Sequence, residues 1–451
     1  MLPVMLVRLL INREYAKLWL GGAVSMLGDV IFDTTLVLWV GTVIARGQPW
    51  APLAVSGALL AVALPVMLVA PLAGVFVDRW DYRRTMLAFD ALRAVLVAML
   101  LPLPFLSLPV PAELVTIYTI LVLASVCAQF FNPARFAIIG DLVGDEQRPK
   151  ASSIAQVTFA LTGIIGPPLA APLLFTVGVQ WALALNVVSF VVSFVMVRAI
   201  RPPVIARPDR PAAGPGSLWR EFRAGLRFFT GSPVLIAVVV TAAIATAGGG
   251  SLNALDVFFV STNLHAGAKW FGFLSMAFGA GSLAGALVTG VLANRLGYSR
   301  TYSWGLLLFG VAMLAYARSG QVAVAVVLLF IGGIPVAAVN TVIGPIILRV
   351  TPREMVGRVI SMLNPLIQVA AVLSIAVSGW LASTGLRGLD ARVADVHIGP
   401  IDTIYTGGGV LALLGGGWAV FAMRAADQPV PADQPVPVRL ATPPAPADPP
   451  G

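Results

Sequence analysis

Long apolar stretches separated by short polar connections run along almost the whole chain. Each stretch approaches or exceeds the roughly 20 residues that an α-helix needs to cross the hydrocarbon core of a bilayer. The pattern therefore predicts an all-α integral membrane protein with twelve transmembrane helices. The predicted helices are 16–44, 52–77, 85–104, 113–131, 152–176, 181–199, 234–259, 269–293, 301–318, 321–346, 358–383 and 404–424.

The connection 200–233 divides these helices into two sets of six. Its first half is rich in proline, which is typical of a linker. Its second half, "SLWREFRAGLRFF", places leucine and phenylalanine at helical spacing with arginines elsewhere, and predicts an amphipathic helix on the inner leaflet. The predicted domains are an N-terminal six-helix bundle (1–199), the cytoplasmic linker (200–233), a C-terminal six-helix bundle (234–424) and a disordered proline-rich cytoplasmic tail (425–451).

Composition and charge support a multi-pass membrane protein. Of the 451 residues, 58% are hydrophobic and 11% charged, whereas a soluble domain carries about 25% charged residues. Basic residues concentrate in the connections on one side of the predicted helices, and basic loops are typically cytoplasmic. We therefore expect a plasma or inner membrane protein with both termini in the cytoplasm. The net charge of +9 is explained by these loops, so no nucleic-acid partner is expected.

Several function classes are excluded by what the sequence lacks. The chain has one cysteine and two histidines, which argues against a disulfide framework and a thiolate or imidazole metal site. No nucleophile–base or metalloprotease motif indicates an enzyme, and no phosphate-binding loop indicates an ATP-driven pump. Nothing suggests a channel built from a ring of repeated subunits. We expect a monomer without a cofactor, whose partners are the bilayer and a small-molecule substrate.

One charged turn occurs twice, between the second and third helix of each half. "GVFVDRWDYRR" (74–84) and "GVLANRLGYSR" (290–300) share glycine, arginine and tyrosine positions at a constant offset, which indicates an internal duplication. In the second copy, Asn294 replaces Asp78 and Gly297 replaces Asp81. The positions assigned to these two gate motifs are Gly74, Asp78, Arg79, Asp81, Arg83 and Arg84, and Gly290, Asn294, Arg295 and Arg300.

The first turn resembles the signature loop of the major facilitator superfamily, Gly-x3-Asp-Arg-x-Asp-x-Arg-Arg. The stretches "NREYAKLWLGGAVSMLGD", "FNPARFAIIGDLVGDEQRPKASS", "REFRAGLRFFTGSP" and "VTPREMVGRVISM" look like the bacterial branch that holds the enterobactin exporter and macrolide-efflux proteins. The resemblance implies two similar six-helix bundles around a cavity that opens alternately to each side. It also implies that Asp78 accepts hydrogen bonds across the cytoplasmic interface, near the start of the eleventh helix, and that Asn294 forms a weaker latch.

The same resemblance implies secondary export of an amphipathic small molecule, such as a drug, an antibiotic or a siderophore-like compound, by proton antiport. Two alternatives keep the fold and change the cargo: a lipid translocator and a solute importer. The sequence does not identify the transported molecule.

Carboxylates inside apolar stretches are costly and therefore mark candidate functional sites. Asp29 and Asp33 lie one helical turn apart on one face of the first helix, so both are not expected to be ionised together. They are candidates for proton coupling or for binding a cationic substrate, as is Asp256 at the outer end of helix seven; alternatively, Asp29 bonds a neighbouring helix and Asp256 is solvated. Asp90 and Arg93, at i and i+3, predict a structural pair.

Polar and helix-breaking residues add further candidates. "GIIGPPLAAP", with Gly163, Gly166 and Pro167, resembles the Gly-Pro motif of exporters and predicts a bend at the domain interface. The arginine that drug–proton antiporters often carry in the fourth helix is missing, since "LASVCAQFF" has only Gln129, and this argues against the proton-relay mechanism of those antiporters. The residues predicted to line the cavity beside broken helices are Asn340, Asn364 and Gln368.

Overall fold

The computed structural model describes residues 11–201, 227, 230–352, 355–389, 391–393 and 396–423. Within these residues, twelve long α-helices account for most of the chain. They are α1 (Arg13–Trp39), α2 (Ala51–Val77), α3 (Tyr82–Ala98), α4 (Val110–Leu142), α5 (Arg148–Pro172), α6 (Val179–Arg198), α7 (Pro233–Thr262), α8 (Lys269–Leu296), α9 (Tyr298–Ala317), α10 (Val322–Val350), α11 (Val356–Trp380) and α12 (Pro400–Ala422).

Helix starts follow local capping chemistry. The side chain of Asn12 accepts a hydrogen bond from the backbone N–H of Tyr15, and that of Asp81 accepts one from Arg84, so free N–H groups of α1 and α3 are satisfied. Gly297 joins α8 to α9 with φ +86° and ψ 152°, a backbone conformation that only glycine adopts readily.

Helices α1–α6 pack mainly among themselves, and so do α7–α12. In the first set α1 contacts α5 and α6, and α4 contacts α2 and α3; in the second set α8 contacts α10, and α9 contacts α10 and α12. The two sets meet mainly where α5 contacts α8 and α2 contacts α11. The domain limits given above stay predictions, because the linker lies largely outside the described residues.

The two ends of the molecule differ. We call the end with the turns 78–81 and 297 the charged end, and the opposite end, where β1 (Ala391–Val393) pairs antiparallel with β2 (Val396–Ile398), the hairpin end. Close contacts between the two sets extend from mid-helix to the hairpin end. A Cβ on Gly272 of α8 would lie 2.4 Å from the carbonyl oxygen of Pro167 of α5, so only glycine permits this approach. Near the same end, the backbone N–H of Leu53 donates to Ser383 Oγ at 3.0 Å.

The structure differs from the sequence predictions at some points and leaves others untested. Eleven of the described helices are long and apolar enough to cross a membrane; Tyr298–Ala317, predicted as a span over 301–318, is not among them because serines, tyrosines and an arginine lower its hydropathy. Helix α4 continues to Leu142, well beyond the predicted end at 131. The connection 384–403, between the last two predicted helices, contains the short hairpin of β1 and β2. The predicted amphipathic helix and the tail fall almost entirely outside the described residues.

Candidate functional site

A cavity of about 780 Å³ lies between the two helix sets. Helices α1, α2 and α5 line it from one side, and α7, α8 and α10 from the other. Its lining extends toward the charged end as far as Gln156 and Asn340, which are exposed, and toward the hairpin end as far as Phe271, which is buried. Most of the lining is apolar. The polar side chains include Asp33, Thr34, Gln156, Asn253, Asp256, Ser275, Ser282, Asn340 and Thr341.

Two of the predicted carboxylates face this cavity from opposite sides. Asp33 of α1 is exposed to it and makes no hydrogen bond or ion pair with the described residues. Asp256 of α7 is only 6% exposed and receives hydrogen bonds from two hydroxyls, Tyr316 at 2.5 Å and Tyr405 at 3.3 Å. Asp256 is therefore enclosed by protein, whereas the sequence left open that it is solvated.

The tyrosines that hold Asp256 come from two other helices and are locked by aromatic contacts. The ring of Phe259 lies 4.8 Å from that of Tyr316 and 5.3 Å from that of Tyr405, and both tyrosines are almost completely buried. A buried carboxylate needs hydrogen-bond donors to offset lost hydration, and these two phenols supply them. The site therefore depends on α7, α9 and α12 together.

A second group of charges, the buried Asp90 and Arg93 with the half-buried Asp29, lies in the first helix set. Arg93 Nη2 is 2.6 Å from Asp90 Oδ1, so the pair predicted from spacing is present, and Nη1 is 3.7 Å from Asp29 Oδ2. The other oxygen of Asp90 accepts a hydrogen bond from Ser193 Oγ at 2.6 Å. The structure thus joins Asp29 to Arg93, while Asp33, one turn away, faces the cavity. Asp29 is not among the described residues that line the cavity.

Aromatic rings and a further arginine complete this region. The guanidinium of Arg93 lies between the rings of Phe131 and Phe190, 4.4 Å from each centroid, where cation–π attraction stabilises it. Arg135, assigned from sequence to a cytoplasmic connection, lies within α4 and lines a small pocket beside Gly22. The prediction that the fourth helix lacks an arginine is therefore wrong, because the apolar window that defined this helix ended at 131, four residues before Arg135.

At the hairpin end, a second cavity of about 730 Å³ lies between the helix sets. It is separated from the central cavity where the helical turn Val40–Ile44, which follows α1, meets α7. A Cβ on Gly41 would lie 3.4 Å from Cζ of Phe258 and 3.5 Å from Cγ1 of Val257, both in the opposite set. All three residues line the second cavity and none lines the first, so this contact is part of the barrier between the two cavities.

The two charged turns lie at the charged end and are anchored differently. In the first, Arg83 donates to the carbonyl oxygens of Val197 and Arg198 at the end of α6. In the second, the guanidinium of Arg349 lies 4.5 Å from the ring centroid of Tyr298. The remaining gate-motif side chains, at 78, 79, 81, 84, 294, 295 and 300, are exposed.

Asp78 makes no hydrogen bond with a described residue of the second helix set. Its backbone N–H bonds to Gly74, and its side chain is exposed. Much of the start of α11, the partner that the resemblance implies, lies outside the residues described with side chains. The latch therefore stays a prediction for a conformation in which the charged end is closed.

The Gly-Pro motif lies at a helix crossing. Helix α5 continues through Pro167 rather than ending there, and a Cβ on Gly166 would lie 2.5 Å from Val30 of α1. Gly163 and Pro167 line the central cavity, as does Asn340. Asn364 and Gln368 lie on α11, and neither is among the described residues that line this cavity.

Sequence reasoning missed the tyrosines of the Asp256 site and the position of Arg135 within α4. A tyrosine near the end of an apolar stretch is typical of the membrane interface, so Tyr316 and Tyr405 gave no distinct signal. Arg135 follows a proline in "FNPARF", where an apolar window ends. A helix search that tolerates one charge would have included it.

Comparisons with known proteins agree on one family. The family described as "Transmembrane secretion effector" matches residues 9–385. The MFS-type transporter YkuC of Bacillus subtilis is 23% identical over 414 residues, which cover 89% of this chain and 90% of YkuC. The multidrug efflux pump Tap of Mycolicibacterium fortuitum is 26% identical over 349 residues, or 74% of this chain and 83% of Tap. Macrolide efflux protein A of Streptococcus pyogenes is 23% identical over 282 residues, or 62% and 67%.

Solved structures show the same fold at low sequence identity. A mutant of the peptide transporter POT has a TM-score of 0.69 at 13% identity, covering 91% of this chain and 94% of that one. A bacterial homologue of the iron transporter ferroportin, in an inward-facing state, also has a TM-score of 0.69, at 14% identity, covering 91% and 98%. At these identities the likeness establishes the fold alone.

Proposed function

The chain belongs to the transmembrane secretion effector family of major facilitator superfamily transporters, and we propose that it exports an amphipathic small molecule by alternating access in exchange for protons. Relatives named as macrolide and multidrug efflux proteins support the direction of transport. In this proposal the protein acts as a monomer in the plasma or inner membrane, without a cofactor, and the proton gradient is the driving force.

The observation that carries this proposal is the position of the central cavity. It lies between the two helix sets, reaches exposed side chains toward the charged end, and is bounded toward the hairpin end by contacts such as Gly41 with Phe258. Alternating access requires a central site that communicates with one side of the membrane at a time, through rocking of one helix bundle against the other. This geometry is the one expected of such a transporter when it is open to one side.

The orientation and the number of spans form part of the proposal. We propose that α9 is a twelfth span, enclosed by α10 and α12, so that each set contributes six spans. Because basic residues concentrate at the charged end, that end is assigned to the cytoplasm by the positive-inside rule. The described conformation is then inward-open, and the exposed side chain of Asp78 belongs to an open latch.

Proton coupling is assigned to Asp33. Its carboxyl group faces the cavity and has no hydrogen-bond or ion-pair partner among the described residues, so it exchanges protons with whichever side the cavity communicates with. Asp29 is instead 3.7 Å from Arg93 and is not among the described residues that line the cavity. Proton release and substrate binding are then linked through one cavity.

The experiment uses purified protein in liposomes with a pH-sensitive dye inside and an imposed pH gradient. Proton movement and accumulation of a fluorescent amphipathic drug are followed together, with protein-free liposomes as the control. We expect drug accumulation that depends on the gradient and drug-induced proton movement in the opposite direction. Accumulation unaffected by a protonophore would contradict proton antiport, and movement of drug and protons in the same direction would indicate an importer.

A further inference from the structure

The charges that line the central cavity are of one sign. Asp33 faces it from α1 and Asp256 from α7, and the described residues that line it include no lysine, arginine or histidine. Such a cavity attracts a cation and repels an anion, because its apolar walls screen charges poorly. We propose that the transported molecule is a lipophilic cation and that Asp256 binds its charged group; this inference rests on the proposed function.

The hydrogen bonds of Asp256 leave one of its oxygens for a ligand. Tyr316 and Tyr405 both donate to Oδ1, at 2.5 and 3.3 Å. Oδ2 makes no hydrogen bond with the described residues, and Asp256 is one of the residues that line the cavity. Because both donors are neutral phenols, the charge of the carboxylate is stabilised but not cancelled. An ammonium or similar group in the cavity supplies the missing positive charge.

The site is preorganised for this role. Asp256, Tyr316 and Tyr405 come from three helices, and the rings of both tyrosines pack against Phe259. The two tyrosine rings are 5.8 Å apart and almost completely buried. A carboxylate held in this way loses little conformational freedom when a ligand binds, so more of the interaction energy appears as affinity.

The neighbouring wall adds a second feature that recognises organic cations. Phe271 and Phe278 of α8 line the same cavity as Asp256. The faces of aromatic rings attract organic cations. Together with Leu252 and Leu274, they favour a cation that carries a large apolar surface. Asp33 is not enclosed in this way and is the residue to which we assign proton binding.

The test uses tetraphenylphosphonium and tetraphenylborate, two ions of nearly identical size and shape and opposite charge. Each is titrated separately by calorimetry into the purified full-length chain in detergent. We expect the cation to bind and the anion not to bind measurably. Asp256→Asn is expected to weaken binding of the cation roughly tenfold or more, because a charge-assisted contact is lost.

Two further variants and one control variant keep the test decisive if Asp256→Asn folds poorly. Asp256→Glu retains the charge and is expected to restore most of the affinity. Tyr316→Phe removes one donor to Asp256 and is expected to weaken binding a few-fold, whereas Tyr302→Phe, a buried tyrosine of the same helix that bonds Thr241, leaves it unchanged.

Three results would overturn the inference: no binding of the cation by the wild type, equal binding of the anion, or unchanged affinity in Asp256→Asn. Failure of the exporter proposal gives a different result. In that case, liposomes show no gradient-driven transport while binding of the cation still depends on Asp256. Gradient-driven transport of a neutral or anionic drug by a protein that does not bind the cation supports the exporter and excludes the cation site.

Discussion

The two halves of the molecule hold their buried carboxylates by different means. In the first half, Asp90 is completely buried and Arg93 lies between it and Asp29, with one guanidinium nitrogen directed at each carboxylate. In the second half, Asp256 is bonded by the hydroxyls of two tyrosines. One site is an ion-pair network across helices, and the other is a single charge held by neutral donors.

This difference indicates a division of work. A guanidinium has several donors and can change its distribution between two carboxylates when α1 and α3 shift relative to each other. Neutral phenols locked in an aromatic cluster cannot follow such a shift or neutralise the charge. The first half is thus suited to changes in pairing during the transport cycle, and the second to a fixed charge that meets a ligand.

The largest effect is expected when the first network loses its cation. Arg93→Met leaves two carboxylates close together in the membrane interior and should lower the free energy of unfolding by about 3–5 kcal/mol. Arg148→Met, which removes an exposed partner of Asp145, should change it by less than about 1 kcal/mol. Unfolding of both variants in detergent measures the difference. A melting temperature of Arg93→Met close to that of the wild type would mean that the network is not required for folding.

The second prediction separates the two carboxylates of α1. Asp33→Asn should reduce gradient-driven transport about tenfold or more while equilibrium exchange of substrate continues, because the side chain can no longer carry a proton. Asp29→Asn leaves Arg93 paired with Asp90 and should reduce driven transport much less. Both rates are measured in liposomes with and without a gradient. Full driven transport by Asp33→Asn would move the coupling site elsewhere, and loss of exchange as well would indicate that Asp33 binds the substrate.

The third prediction compares the charged turns. Asp78→Asn should lower the transport rate about fivefold, because a charge-assisted hydrogen bond of the closed latch becomes a neutral one. Thermal stability should stay near that of the wild type, since Asp78 is exposed in the open conformation. Asn294→Ala should have a much smaller effect on transport. Cysteine-accessibility labelling from the charged end provides the check, and no gain of labelling in Asp78→Asn would refute the latch.

The smallest effect concerns the anchor of the second turn. Arg349→Met removes the cation from the ring of Tyr298 and should lower the free energy of unfolding by about 0.5–1 kcal/mol. Arg349→Lys retains a cation and should recover part of the loss. The comparison is made by thermal unfolding in detergent, and equal melting temperatures for all three proteins would show that this contact contributes nothing.

Much of the fold could be predicted from the sequence because apolar stretches of membrane length identify helices almost directly. The end of the fourth helix was placed wrongly because polarity is mixed there, and α4 continues through Arg135 after the apolar window ends. Ala134 and Ile138 in this extension are buried against residues of α1 and α2. Such contacts cannot be read from a local sequence window.

The candidate site could be predicted only in part. Asp33 and Asp256 were selected because a carboxylate in an apolar stretch is costly, and both line the central cavity. The approach of Arg93 to Asp29 could not be predicted, since it depends on which faces of α1 and α3 are adjacent. Tyr316 was missed because its role depends on a residue 60 positions away in the sequence.

The backbone at Gly297 has a consequence for the evolution of the duplicated turn. Its φ of +86° and ψ of 152° lie in a region almost restricted to glycine, where another residue is strained by about 1–3 kcal/mol. The corresponding Asp81 in the first copy has φ −72° and caps α3 with its side chain. A single mutation that returns aspartate to position 297 would therefore be selected against, even if the regained cap were useful. An aspartate at both 81 and 297 would therefore require further changes in the backbone of the second turn.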